Sequence, residues 1–392
     1  MVTKITARIV LFLHKIGFKN FKNFIVYKTA SVYDYCQKQN TVIKTYDNSL
    51  QYPSRILSDF DHFESSEKDF AMRPSYYIYL SLVKNATIFG CQDFILADTY
   101  CLNDAFFSNV RVNTFIDKRF TNICAITNKD VIVHKSVDTN TIIDKGIYLV
   151  KMWSDNNFHF AFDALARLSL LENLKEYDSF PSLIDKVAVD NPWNQELLEI
   201  INQNKHPIIL IEPGKKYTVN ELLYPSNLHW GTGQEIKAGY APCIHKKAAR
   251  YLIENIKASH SITKEYDKVY IARGDNKRLL NEYEISDYLQ MQGFDIINPN
   301  KASYKDFLDV FMTANIIIGV TGTGMVNMML TKKSAIIYII CPFEFQHDEM
   351  IAIGDASEVN FTFIAADIKT KNKILKKSSF YLPLNRIKAV IQ

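Results

Sequence analysis

From Lys268 onward apolar and polar positions alternate in regular blocks. VYIA (269–272) predicts a buried strand, 281–292 a helix, FDII (294–297) a strand and 304–314 a helix; NIIIG (315–319) follows as a strand, 324–330 as a short helix and AIIYII (335–340) as another strand. Short apolar strands separated by helices of this length predict a parallel sheet with right-handed crossovers, a Rossmann-like domain. A helix before it is marked by Ile244, Ala248, Leu252 and Ile256 at four-residue spacing behind Pro242. Upstream a second alternation runs through YLVKM (148–152), a helix over 158–174, KVAVD (186–190), a helix over 194–203 and PIILIE (207–212), and predicts a second α/β domain. Residues 217–240, with Gly231, Gly233 and Gly239, then read as the connection, and the boundary falls at 235/236, giving domains 1–235 and 236–392. Residues 30–145 yield only short candidate strands such as TIF and FIL, and the charged stretch 58–69 reads as a surface loop.

Composition agrees with two well-filled domains: 392 residues, 47% hydrophobic, with 25 Phe, 22 Tyr and 3 Trp to build cores. Thirteen Gly and 11 Pro are too few for a collagen-like or linker-rich chain. The net charge of +4 hides an uneven distribution. Residues 1–28 hold six Lys or Arg and no acid, residues 368–392 hold seven and no acid, and the remainder carries 33 basic against 42 acidic side chains. General polyanion binding, nucleic acid included, is therefore not expected. The opening segment interleaves Ile, Leu, Phe and Val with Lys, which suits an anionic lipid surface; solvated faces of ordinary helices are the alternative. No apolar run is long enough to span a bilayer and no secretory signal is evident, so the expectation is a cytoplasmic chain, with a peripheral position on the inner face of the membrane left open. Six cysteines without a C-x-x-C pair or a His at zinc spacing read as reduced, mostly buried thiols, and no metal site is expected.

Ligands of an open parallel sheet bind beyond the carboxyl ends of its strands. Two segments qualify. Arg273 ends a strand, and Arg278 and Asn281 stand at the start of the next helix, so two guanidiniums five residues apart can converge on a diphosphate; a solvent-facing turn paired to Asp275 and Glu282 is the plain alternative. The loop Gly319–Asn327 directly after NIIIG brings Gly322 and Gly324 for close backbone approach and Thr321 and Thr323 as hydroxyl donors, or serves as a close strand-to-helix contact. In NNFHFAFDALARL, His159, Asp163 and Arg167 recur every four residues, which puts them on one face of a largely apolar helix. That stripe is either a cleft wall carrying a general base, His159 or Asp163, or an exposed stripe with an Asp163–Arg167 pair.

The run from Val269 to Pro342, with a strand ending in Arg273, a second Arg278, Asn281-Glu282, Gly293-Phe294 and a glycine loop ending in Asn327, resembles the C-terminal half of glycosyltransferase family 61, the capsular-polysaccharide type. The helix NNFHFAFDALARL is similar to that family's His-containing segment followed by Asp and Arg, so the resemblance covers roughly 150–342. It implies a GT-B-like α/β architecture, two Rossmann-like domains facing a central cleft, with the nucleotide-sugar donor on the C-terminal domain and the acceptor largely on the N-terminal one. It implies inversion without a D-x-D metal site; Asp59-Phe-Asp61 lies in the charged stretch. By the resemblance Arg273, Arg278, Asn281 and Thr321, Gly322, Thr323, Gly324 and Asn327 hold the donor, while His159 and Asp163 face the acceptor. Two positions depart from the family: Thr321 stands where a His is usual, and Tyr338 where a Glu-containing triplet is usual. Glu344, after the last strand, is a candidate for the ribose hydroxyls.

The resulting expectation is an inverting transferase that uses no cofactor and moves a sugar from a nucleotide diphosphate to a glycan or lipid-linked acceptor in surface polysaccharide (capsule or lipopolysaccharide) synthesis. Its rivals are a pyruvyl or phosphopolyol transferase on a similar frame and a catalytically silent nucleotide-binding or scaffolding subunit of polysaccharide assembly. A nicotinamide-dependent oxidoreductase is disfavoured by the missing G-x-G-x-x-G.

Overall fold

The computed structural model describes residues 9, 10, 12–14, 16–18, 24–46, 55–58, 66–69, 77–104, 123–126, 130–134, 141–230, 242–274, 278–342, 348–370 and 378–391. The chain forms two compact units, Met1–Gln51 with Arg73–Tyr240, and Tyr52–Met72 with Ala241–Gln392. Both are α/β in composition, as the alternating patterns predict.

The first unit is organised on an 11-stranded mixed sheet. In chain order its strands are β1 (Phe24–Ala30), β2 (Val42–Tyr46), β3 (Ile78–Phe89), β4 (Ile95–Ala97), β5 (Tyr100–Leu102), β6 (Ile123–Ile126), β7 (Asp130–His134), β8 (Thr141–Tyr148), β9 (Ser182–Asp185), β10 (Ile208–Ile211) and β11 (Lys216–Pro225). Across the sheet they lie in the order β10-β9-β8-β11-β3-β4-β5-β1-β7-β6, with β2 on β3. The block β10-β9-β8-β11 is parallel, and β11 pairs antiparallel with β3 from Lys216 opposite Phe89 to Pro225 opposite Leu80. The parallel block is thus one side of a largely antiparallel sheet. The core on β3 and β11 buries Tyr79, Val83, Ile88, Val219, Leu222 and Tyr224.

Several expectations are corrected here. Residues 216–225 are a central strand and not a connection: Tyr217, Val219 and Leu222–Tyr224 are all buried, and burial on both faces near the strand's end erases the two-residue period. The glycines at 231, 233 and 239 lie outside the described residues. KVAVD is a helical turn over Lys186–Val189, and the strand is the SLID before it; a run as short as VAV satisfies either period. The strand expected over 148–152 ends at Tyr148, and residues 149–156 form the approach to the next helix. Residues 24–28 of the basic opening are sheet, paired with β5 and β7, so they do not lie on a surface as a helix. Near that end Ile9, Phe12, Ile16 and Phe18 are exposed, whereas Val10 is buried. Of the stretch 58–69, residues 59–65, including Asp59 and Asp61, lie outside the described residues.

The second unit is the doubly wound domain that the sequence predicts. Its strands are β12 (Lys268–Ile271), β13 (Asp295–Ile297), β14 (Ile316–Val320), β15 (Ile336–Pro342), β16 (Thr362–Thr370) and β17 (Ser379–Tyr381), in the order β13-β12-β14-β15-β16-β17. All pairings are parallel except that of β17. The helices are α2 (Lys246–Ser259), α3 (Glu282–Met291), α4 (Tyr304–Thr313), α5 (Asp348–Ser357) and α6 (Leu384–Ile391), numbered after α1 (Pro192–Asn202) of the first unit. The chain moves from β12 outward to β13 and then crosses back to β14, so the strand order reverses between β12 and β14. Tyr270, Ile318, Ile340 and Ile364 stack across the sheet against Ile285 and Leu289 of α3. The basic C-terminal end is partly neutralised in space: Arg386 Nη1 lies 2.8 Å from Asp367 Oδ1, an acid just outside the run counted in sequence.

Candidate active site

In the first unit one carboxylate joins two imidazoles. Asp163 Oδ2 is 2.7 Å from His159 Nδ1, and Asp163 Oδ1 is 2.6 Å from His229 Nδ1. Burial would raise the Asp163 pKa, but the neighbouring imidazoles outweigh it and hold the carboxyl well below its usual range. His229 is almost fully buried, while His159 and Asp163 keep side-chain exposures of 24% and 18%, so this edge of the cluster reaches solvent. The His159 ring is flanked by Trp153 and Phe158, with centroids 5.4 and 5.3 Å away. With Nδ1 turned to the carboxylate, His159 presents Nε2 as the atom able to take a proton, the orientation an aspartate imposes in hydrolytic triads.

The helix carrying these groups is not uniform. It runs α over Asn157–His159, π over Phe160–Ala164 and 3-10 over Leu165–Leu171. The wider π turn followed by the tighter 3-10 winding rotates Arg167 out of the His159–Asp163 line, because the four-residue spacing gives a common face only in a continuous α-helix. Arg167 is completely buried and pairs with neither. Its Nε donates to the Pro225 carbonyl at 2.7 Å, Nη2 donates to the same oxygen, and the guanidinium stands 4.9 Å from the Tyr224 ring and 5.6 Å from Tyr148. The alternative of an exposed stripe with an Asp163–Arg167 pair is therefore ruled out, and Arg167 anchors the helix to β11.

A second buried carboxylate fixes the approach to that helix. Asp185, at the end of β9, accepts from the backbone N–H of Cys91 at 2.6 Å and of Lys151 at 2.9 Å, and from the Ser154 hydroxyl at 3.1 Å. Burial pushes its pKa up to about 7 despite these bonds. Lys151 reaches Asp93 at 2.7 Å. Asn194 of α1 donates to the Ser154 and Ala188 carbonyls and accepts from Asn157. Residues 151–157 are thus tied at both ends before the chain enters the turn that bears His159.

In the second unit Arg273 follows β12 and Thr321 follows β14, at the two carboxyl ends where the strand order reverses, the usual ligand position in such sheets. Arg273 Nη1 donates to the Thr321 carbonyl at 3.3 Å. Gly322 adopts φ +151°, and a Cβ there would lie 2.8 Å from Arg273 Nη1, so glycine is what lets the guanidinium cross this loop. Thr321 is fully buried and its hydroxyl has no hydrogen-bond partner among the described residues; Asn327 is almost as buried, accepts from Tyr304 at 3.0 Å and has no partner for Nδ2 among them. Thr323 opens a 3-10 helix, Thr323–Leu330, with an exposed side chain, and a Cβ on Gly324 would meet only ordinary contacts.

Glu282 supports the same corner. Its buried carboxylate accepts from the backbone N–H of Arg273 at 2.6 Å and of Gly274 at 2.9 Å. It holds the main chain after β12, which differs from the expected pairing with a basic turn. Asn281 commits its amide to both backbone groups of Leu382. Arg278 is largely buried, with its guanidinium 5.7 Å from the Phe380 ring. Glu344 and Asp275 lie outside the described residues. Among the described residues no group of three or more His, Cys, Asp or Glu is placed to hold a metal ion. The cysteines at 36, 91, 101, 243 and 341 are buried, and burial pushes the Cys36 and Cys101 thiols up, away from a nucleophile's range.

His229, Asp185, Lys151 and Asn194 carry no local signal in the sequence. Apart from the bond of Asn194 to the Ala188 carbonyl, each meets its partners across 30 or more residues, and the pairing of β8, β9 and β11 helps to bring them together.

Residues 158–338 match the family model described as Glycosyltransferase 61. This match supports a glycosyltransferase. No curated protein matches the chain.

Proposed function

We propose that the protein is an inverting, metal-independent glycosyltransferase of the GT-B kind, moving a sugar from a nucleotide diphosphate to a glycan or lipid-linked acceptor in capsule or lipopolysaccharide synthesis. One observation carries the reading: the family match over 158–338 takes in both the His159–Asp163–His229 cluster and the Arg273–Thr321 corner. His159 Nε2 removes the proton of the acceptor hydroxyl, the oxygen bonds to the anomeric carbon, and the bond to the diphosphate oxygen breaks with its electron pair leaving on the nucleotide. Asp163 orients the imidazole and balances the imidazolium, so of the two candidate bases the geometry favours His159. Arg273 and the loop of Thr321, Gly322, Thr323, Gly324 and Asn327 receive the departing diphosphate. Asn281 and Arg278 support the corner from behind, through the Leu382 and Phe380 contacts.

A cytoplasmic site of action, peripheral to the membrane, completes the proposal. The exposed Ile9, Phe12, Ile16 and Phe18 support contact with a lipid surface, and among the described residues no helix is long and apolar enough to cross a membrane. The test is a screen of nucleotide sugars for turnover, monitored by release of nucleoside diphosphate in wild type and His159→Ala. Release in the wild type that depends on an acceptor and falls about 100-fold in the variant supports the reading. Nucleotide binding without turnover of any donor overturns it in favour of the silent subunit.

A further inference from the structure

Next to His159 stands an aromatic residue in a backbone conformation that its own side chain disfavours. Trp153 has φ +64°, and of the nine non-glycine residues with positive φ among the described residues it is the only aromatic one; the others are Asn, Asp, Gln and Glu side chains and Cys91. Left-handed backbone is uncommon for a bulky residue, because its Cβ crowds the following carbonyl. The neighbours hold it there. Before it, Lys151 is tied to Asp185 through its backbone N–H and to Asp93 through its ammonium. After it, the Ser154 hydroxyl donates to Asp185 at 3.1 Å, the Ser154 carbonyl accepts from Asn194 at 2.9 Å and the Asp155 carbonyl accepts from Asn191 at 3.0 Å. The Trp153 carbonyl itself accepts from the Asn156 N–H at 2.9 Å, closing a turn. Strain kept by bonds on both sides points to a use of the side chain so displayed.

Packing of the indole does not explain the arrangement. Trp153 is 39% exposed, and among the described residues its N–H has no hydrogen-bond partner and its one ring contact is His159, 5.4 Å between centroids at 46°. Phe158, the other ring beside His159, is 6% exposed and packs inward on Phe162 and His229, at 5.3 and 5.0 Å. Of the two rings against the imidazole, Trp153 is the one open to a ligand. A hydroxyl that gives its proton to His159 Nε2 lies about 3 Å from it. A pyranose carrying that hydroxyl is wider than this gap, so its body lies over the neighbouring ring. The C–H groups on a pyranose face carry the slight positive charge that the electron-rich face of indole attracts, and the indole N–H can donate to a further hydroxyl.

We propose that Trp153 is the platform for the acceptor: a pyranose ring of the acceptor stacks on the indole and places the hydroxyl beside it at His159 Nε2. The assignment rests on the transferase reading above, with His159 as the base. It adds the chemical class at the point of attack, a sugar ring and not a lipid phosphate or a protein hydroxyl.

The experiment uses the full chain in two measurements. Labelled with 5-fluorotryptophan, the protein gives one fluorine resonance for each of its three Trp, and the one missing in Trp153→Phe is assigned. It is titrated with the methyl pyranosides of glucose, galactose, mannose and N-acetylglucosamine, and with uridine diphosphate as control. One or more pyranosides should move the Trp153 resonance and leave the other two in place, and uridine diphosphate should not move it. Transfer from the donor found by screening is then followed in Trp153→Asn and Trp153→Phe, with the ligand-free melting temperature as the check on folding; asparagine tolerates the positive φ. Trp153→Asn should raise the acceptor KM about tenfold or more and leave the donor KM within about twofold, while Trp153→Phe recovers most of the loss. A fall in kcat at unchanged acceptor KM means that Trp153 only steadies His159, and overturns the platform. A rise confined to the donor KM puts the donor's sugar on the indole and overturns it too; both results leave the transferase reading standing. Where no donor is turned over, that reading falls and the resonance decides alone: a Trp153 signal that moves keeps the platform as a sugar site, and one unmoved across the panel overturns it.

Discussion

His229 Nδ1 sits 2.6 Å from the oxygen of Asp163 that His159 does not use. A carboxylate held from both sides cannot rotate, so the His159 ring is presented in one orientation. Asp163→Asn keeps the shape but replaces one acceptor oxygen by a donor, which favours the wrong tautomer of one imidazole. Transfer should fall roughly 10²–10⁴-fold in kcat with little change in donor affinity. His229→Gln, which disturbs only the second support, should lose less activity than His159→Ala. Single-turnover transfer on the donor found by screening separates the three variants.

Arg273 reaches across β12 and β14 with a planar fork. Lysine at this position offers a point charge and cannot span the same loop, so Arg273→Lys should recover only a minor part of the nucleoside diphosphate affinity lost in Arg273→Ala. Titration of both variants checks this, and full recovery by lysine would show that charge alone is used.

Asp185 gives a pH dependence of stability with a definite sign. Its pKa rises from 3.8 to about 7 on folding, so between these values the folded chain binds more protons than the unfolded one. Its contribution is therefore complete below about pH 4 and is lost as pH rises through 7, on the order of 2–4 kcal/mol in all. Asp104, pushed up to about 6 by burial against the hydrogen bonds from Tyr79 and Tyr224, acts in the same sense. Asp163 acts oppositely: held charged in the fold, it withdraws stability as acid protonates it. Unfolding midpoints measured from pH 4.5 to 7.5 should fall across that window, and Asp185→Asn should flatten the slope while lowering the midpoint at pH 4.5.

Arg167 is a buried cation whose partners are a carbonyl and two tyrosine rings. Arg167→Met keeps most of the volume but leaves the Pro225 oxygen unpaired and removes the field that restrains Asp104. A loss of about 3 kcal/mol is expected in denaturant unfolding, with no change in nucleoside diphosphate binding at the Arg273 corner.

The second unit was legible almost residue by residue from Lys268 to Pro342, because parallel strands buried on both faces produce short apolar runs, and α3 and α4 bring clear periods of their own; α5, β16, β17 and α6 beyond it were not foreseen. The strand expected over 269–272 is observed at 268–271 and the helix expected over 304–314 at 304–313. The first unit resisted for the opposite reason. β3 is paired along its length and buried at both ends, β11 interrupts its apolar run with Asn220 and Glu221, and neither shows a clean alternation. His159 and Asp163 were visible as a local pair, whereas their partner His229 lies 66 residues beyond Asp163. Arg167 was placed on the wrong side because a four-residue spacing was read as α-helical through a turn that is not.

That turn makes helix length a variable of the site. A π turn holds one residue more than an α turn, so the stretch 160–164 takes up one extra residue between the segment that carries His159 and a segment that packs against the sheet. Removing one residue between His159 and Asp163 would close the stretch to an ordinary turn, and because one residue fewer then spans the same turn, everything after it would keep its facing. Arg167 would stay on the Pro225 carbonyl while His159 and Asp163 became three residues apart instead of four, so a change of length without any change of chemistry would shift the carboxylate from its place between two histidines and leave its footing in the core intact.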